Sequence, residues 1–139
     1  MWPELPIEFN VTGTPVSSQS NNGAAKLEWK NTVLSAAQAV IGEGSWSFGE
    51  TRLAVTMYYF PDSPMTGDVD NIVKLTLDAL QPNVYVDDSL VDRVLVQRFD
   101  PVGGYTFRSP GKVLAAAIEA DDSMLYVKLF EAPLEDISS

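Results

Sequence analysis

The 139-residue chain contains no cysteine and no histidine. Without Cys there is no disulfide, no thiol nucleophile and no thiolate metal site. Without His, zinc-hydrolase motifs and Ser-His-Asp triads are excluded. Any hydrolysis must rest on Asp, Glu, Lys, Ser, Thr or Tyr. Carboxylates with Mg²⁺ or Mn²⁺ are the natural remaining choice, because hard cations take oxygen ligands. No apolar run approaches the roughly 18–20 residues of a membrane helix. The opening MWPELPIEFNV lacks the basic start and apolar core of a signal peptide, so a cytoplasmic protein with no membrane partner is expected. No GxGxxG or P-loop pattern is present, and Gly103-Gly104 reads as a turn. Basic residues are also few: 9 Lys and Arg stand against 19 Asp and Glu, for a net charge of −10. That balance argues against nucleic acid, whose binding usually rests on neutralised phosphates. Glu119, Asp121, Asp122, Glu131, Glu135 and Asp136 read as a solvated acidic face.

What is present is an ordinary globular composition, 45% hydrophobic and 20% charged, most simply a single domain over residues 1–139. Alternation predicts a strand over 7–11, and a Gly-, Ser- and Asn-rich loop follows. A helix is expected over 25–41, with Leu27, Lys30, Leu34, Ala37 and Ile41 on one stripe and Trp29, Val33, Ala36 and Val40 widening it. RLAVTMYYF (52–60) is the clearest strand. A second helix is expected over 71–80 with Asp70 as N-cap, then a strand stub over 84–86, a strand over 91–99, an Ala-rich third helix over 111–120 and a final strand over 124–130. The order implies an α+β fold: a mixed sheet with two main helices and a short third helix packed on it. Hairpin-like returns among the later strands favour the mixed sheet over a wholly parallel one.

The most informative segment is GDVDNIVKLTLDALQPNVYVDDSLVD, which gathers Asp68, Asp70, Asp78, Asp87, Asp88 and Asp92 around Lys74. Asp68 and Asp70 share a face if extended, and Asp70, Lys74 and Asp78 stack along one helix face. If the stub 84–86 returns beside the end of the strand at Phe60, Asp68, Asp70 and Asp88 form a three-carboxylate pocket with Lys74 at its lip. Such a pocket suits phosphodiester hydrolysis, since a metal held by aspartates activates water and lysine stabilises phosphate charge. A surface ion-pair ladder, a helix cap and a turn explain the same acids equally well. A calcium loop does not fit, because Ile72 occupies a ligand position.

The strings Gly67-Asp68-Val69-Asp70-Asn71-Ile72-Val73-Lys74, Leu77-Asp78-Ala79-Leu80 and Tyr85-Val86-Asp87-Asp88 resemble the signature of RusA-type Holliday junction resolvases. Gly13-Thr14-Pro15-Val16-Ser17, Trp29-Lys30 and Ser109-Pro110 extend the likeness weakly over most of the chain. The resemblance implies a RusA-like fold and a homodimeric, Mg²⁺-dependent endonuclease, in which Mn²⁺ may substitute, that nicks branched four-way DNA in pairs. It implies a bacterial or phage-encoded source. It makes Asp68, Asp70 and Asp88 the metal-binding acids, Lys74 the catalytic lysine, Asp87 a supporting acid and Asn71 an orienting residue. Asp78 is then structural or supporting.

The chain departs from many members in its uncharged Ser17–Ala25 loop. Lys26, Lys30 and Arg52 head the candidates for phosphate contact, with Arg93, Arg98, Arg108 and Lys112 behind them. Trp29 and Trp46 read as core or dimer contacts, and Phe60 as a strand residue that could also wedge into DNA. The competing reading is a nuclease-inactive relative whose acidic face binds a protein.

Overall fold

The structure is a computed structural model that describes residues 2–42, 44–64, 67–101 and 103–132. Its elements run β1 (Ile7–Thr12), α1 (Gly23–Ile41), β2 (Leu53–Phe60), α2 (Val73–Leu80), β3 (Val91–Arg98), α3 (Lys112–Glu119) and β4 (Met124–Glu131). Short 3-10 turns occupy Val69–Ile72 and Asp88–Leu90. Glu135 and Asp136 of the acidic tail lie outside the described residues.

The four strands lie in the order β1-β4-β2-β3. β4 pairs antiparallel with both β1 and β2, while β2 and β3 are parallel. The sheet is therefore mixed, as expected, but for a different reason. No two consecutive strands form a hairpin; the final strand instead inserts between β1 and β2. Burial follows position. Edge strand β1 alternates, with Ile7, Phe9 and Val11 inward, whereas central β2 is buried on both faces. That is the pattern a strand covered on both sides must have.

The two faces carry separate cores. On one, Val55, Met57, Tyr59, Val127 and Leu129 meet Trp29, Val33 and Ala37 of α1 and Leu75, Ala79 and Leu80 of α2. On the other, Phe60, Tyr126 and Ala117 of α3 form a smaller cluster with Tyr58, Phe99 and Phe107. The stripe of α1 is thus rotated from the expected one: Leu27 and Val40 stay more than half exposed. Trp29 sets that rotation, because its indole N–H donates to the buried Thr76 hydroxyl at 3.2 Å and fixes which side of α1 meets α2. Asn22 caps α1 through Ala25 N–H at 3.0 Å, a contact worth about 1 kcal/mol. Gly42, at φ 83°, ends the helix where its N–H returns to the Gln38 carbonyl.

Candidate active site

α2 carries the chain from the C-terminal end of β2 back to the N-terminal end of the parallel strand β3. Arg98, at the far end of β3, donates to the Gly67 carbonyl at 2.8 Å. Arg52, just before β2, donates to the Ser89 carbonyl at 2.6 Å. Asp68 and Asp70 therefore lie at one end of α2 and Asp88 at the other, with about 12 Å of helix rise between. The stub at Tyr85 does not return beside Phe60. It bridges in parallel to Phe48, ahead of β2, and this is why Asp88 is left at the opposite end. Among the described residues, no three acidic side chains converge closely enough to hold a metal ion.

At the leading end, Gly67 has φ 100°, a conformation that L side chains avoid. The turn it makes presents Asp68 and Asp70 to solvent. The 3-10 turn precedes α2, so Asp70 is inside that turn and does not cap the helix; Asp68 occupies the cap position without a side-chain cap bond. Neither carboxylate is engaged in a side-chain hydrogen bond or ion pair among the described residues. Asn71 ties this loop down, its Oδ1 accepting from the Ser17 hydroxyl at 3.3 Å.

Lys74 stands in the first turn of α2, and its Nζ reaches along the helix to lie 2.8 Å from Asp78 Oδ1 and 3.5 Å from Asp88 Oδ2. The expected Asp70-Lys74-Asp78 ladder is thus half present, and Asp88 takes the place of Asp70. Asp78, which the resemblance makes structural or supporting, stands in direct contact with the lysine. The Asp88 carboxyl is pushed above the ordinary aspartate range, first by burial and then by the Asp78 charge, while Lys74 and a Tyr85 hydrogen bond oppose the shift. The hydrogen bond to Asp78 holds the Lys74 ammonium in its charged form to higher pH than usual.

Three residues that sequence reasoning passed over build this corner. Tyr85 is fully buried; its hydroxyl lies 2.7 Å from the Leu77 carbonyl and 3.3 Å from Asp88 Oδ1. Burial and the Asp88 charge keep the phenol protonated. Gln81 Oε1 accepts the Asp88 backbone N–H at 2.8 Å. Ser89 N–H donates to Asp87 at 3.0 Å, so Asp87 caps the turn that presents Asp88. Hydrogen bonding from Ser89, by its side chain first and then by its backbone N–H, lowers the Asp87 pKa. The only sequence signal for them was their position, Gln81 and Tyr85 between the DAL and DD strings and Ser89 just after DD.

The basic candidates separate. Arg52 is committed to Asp92 through Nε at 3.0 Å and to Ser89. Lys26 donates to the Ser18 and Ser20 carbonyls at 2.8 and 3.3 Å, closing the uncharged loop onto α1. Lys30 instead lines a polar groove of about 620 Å³ together with Lys74, Asp78 and Gln81. Phe60 is only 6% exposed, stacked on Phe99, so it cannot act as a wedge. Trp46 is not core: it is 56% exposed and meets Trp2 edge-on at 4.8 Å.

Residues 18–106 match the family described as endodeoxyribonuclease RusA. The chain belongs to the RusA family. The matched span holds both groups of acids, Lys74, and the Lys30 groove. No curated protein matches the chain. No helix among the described residues is long and apolar enough to cross a membrane.

Proposed function

We propose that the protein is a Mg²⁺-dependent endonuclease that resolves four-way DNA junctions by paired nicks. The observation that carries this reading is the family match over 18–106, which takes in every residue assigned a role. Asp68, Asp70 and Asp88 are the metal-binding acids in this reading. The exposed, unengaged pair Asp68 and Asp70 fits Mg²⁺, which takes one or two carboxylates and retains waters. For Asp88 to be a third ligand, the two groups must come closer than one chain has them. A bound metal would supply an activated water and charge neutralisation at phosphate; Mn²⁺ suits the same oxygen donors.

The chain's own residues do the rest. Lys74 and Lys30 face one groove and offer ammonium groups to a phosphate backbone, compact point charges suited to that role. Asp78 holds Lys74 charged and aims it. Tyr85, Gln81 and Asp87 fix the Asp88 carboxylate. Asn71 anchors the loop that presents Asp68 and Asp70. The action takes place in DNA recombination or repair, in a bacterial or phage-infected cytoplasm, by a two-fold dimer suited to a junction's two symmetry-related strands. The alternative of a nuclease-inactive, protein-binding relative finds no support in the family match. The test is a labelled four-way junction incubated with the protein and Mg²⁺ at low salt. Paired nicks that disappear in Asp70→Asn support the proposal, and no cleavage across several junction sequences overturns it.

A further inference from the structure

The loop that follows β1 is joined to the turn carrying Asp68 and Asp70 by a side-chain contact, the Ser17 hydroxyl donating to Asn71 Oδ1 at 3.3 Å across 54 positions of sequence. Both sides of that contact are held. Ser17 Oγ accepts the Gln19 N–H at 3.2 Å, and the Ser17 carbonyl accepts the Ser20 N–H at 3.0 Å. Lys26 then clamps the Ser18 and Ser20 carbonyls to α1. On the other side, Asn71 N–H donates to the Asp68 carbonyl at 3.1 Å, and Arg98 holds the Gly67 carbonyl. Among the described residues the Ser17 proton has one acceptor, Asn71 Oδ1. An amide whose oxygen is engaged in this way turns its NH2 group to the opposite side. There Nδ2 faces Gly67, where a Cβ would lie 3.5 Å from it. Nδ2 has no acceptor among the described residues, and Asp68 and Asp70 stand exposed on the same turn.

We propose that Ser17 is a positioning residue for DNA cleavage: by holding Asn71 Oδ1 it points Asn71 Nδ2, a neutral donor, at the phosphate that is cut beside Asp68 and Asp70. The proposal rests on the nuclease reading above and adds to it a residue from a distant loop. Without the hydroxyl, the Asn71 amide is free to exchange its two ends, since no other side chain among the described residues fixes them. The exchanged amide sets its oxygen against a phosphate oxygen, acceptor against acceptor, and the donor is lost. An amide aims a hydrogen bond without adding charge, so it acts on the reacting phosphate and not on the general attraction of DNA. The uncharged stretch Ser17–Ala25 then serves the site by placing the turn at Asn71, not by neutralising phosphates.

In the full chain, Ser17→Ala should lower kcat on a four-way junction about 10-fold, less than the roughly 100-fold loss of a donor outright. KM and the salt dependence of binding should stay unchanged, because the amide displaces no counterion from phosphate. Ser17→Thr keeps the hydroxyl and should restore kcat. On an Asn71→Ala background, Ser17→Ala should cost nothing further, as expected of a residue that acts through another. The Asn71 side-chain amide gives a readout without DNA: its NMR signals should shift in Ser17→Ala and stay in place in Ser17→Thr. Equal kcat in wild type and Ser17→Ala overturns the proposal, as do full additivity with Asn71→Ala and an Asn71 amide signal that ignores Ser17→Ala. Should Ser17→Ala fail to fold, Ser17→Cys, a weaker donor, replaces it in each measurement. A wild type that cuts no junction overturns the nuclease reading and this proposal with it, whereas cutting at unaltered kcat by Ser17→Ala overturns this proposal alone.

Discussion

Lys74 Nζ approaches Asp88 Oδ2 to 3.5 Å across the gap between α2 and the turn that leads into β3. Lys74 is also bonded to Asp78 at 2.8 Å, so one cation sits against two carboxylates. Removing it leaves like charges facing each other. Lys74→Gln is expected to lower junction cleavage about 100-fold or more, the usual effect of losing a donor to transition-state charge. Single-turnover cleavage measures this, and a loss below about threefold would show that Lys74 does not meet phosphate.

The same triad predicts opposite pH effects. The Asp78 charge helps to raise the Asp88 pKa and Lys74 opposes it. Asp78→Asn should therefore move the Asp88 titration to lower pH, and Lys74→Gln to higher pH. Carboxyl chemical shifts of Asp88 followed by NMR will show whether the two variants move it in opposite directions.

Stability should respond with opposite signs at Asp88 and Asp92. The folded chain raises the Asp88 pKa, so ionisation there costs stability once pH exceeds the unfolded value. The hydrogen bond to Arg52 lowers the Asp92 pKa, so Asp92 contributes stability above its unfolded value and loses it as pH falls through the folded one. Near neutral pH, Asp88→Asn should leave Tm unchanged or raised, and Asp92→Asn should lower it. The Asp92→Asn deficit should vanish in acid. Thermal melts across pH check both.

The buried hydrogen bonds behind the site carry more weight than its surface ion pairs. Tyr85→Phe leaves the Leu77 carbonyl without its 2.7 Å partner. Thr76→Val strips the Trp29 indole of its acceptor. Each should cost about 1–3 kcal/mol, the penalty of an unsatisfied buried group. Urea denaturation measures the cost, and values near zero would mean that water replaces the lost partners.

Lys30 and Arg52 were equivalent candidates by sequence and are not equivalent in the fold. Lys30→Ala should lower the salt dependence of junction affinity by about one phosphate contact. Arg52→Ala, removing a group already bound to Asp92, should leave that slope unchanged. Binding titrations over a range of salt distinguish them.

The elements were legible because they rest on local patterns. β2 announced itself by aromatic and β-branched residues, α1 by periodicity ended at Gly42, and the acidic cluster by its spacing. What local pattern could not supply was long-range placement. Nothing in MLYVKLF says that it inserts between β1 and β2. The stub at Tyr85 carries no mark of its partner, and its bridge to Phe48 is what separates Asp88 from Asp68 and Asp70. The rotation of α1 depends on one indole meeting Thr76, a contact between distant segments that periodicity averages away. Asp78 read as structural or supporting; its direct contact with the lysine became visible only in the fold, where Asp88 meets the same lysine.

The central claim is that these acids serve metal-dependent cutting of branched DNA. Its most direct test is cleavage of a four-way junction, labelled on each strand, with Mg²⁺, by the wild-type protein and by Asp88→Asn of matched thermal stability. Symmetric nicks on opposing strands by the wild type, absent with Asp88→Asn and absent without metal, are the predicted result. Undiminished cutting by a folded Asp88→Asn protein, or no cutting by the wild type on any junction, would contradict it.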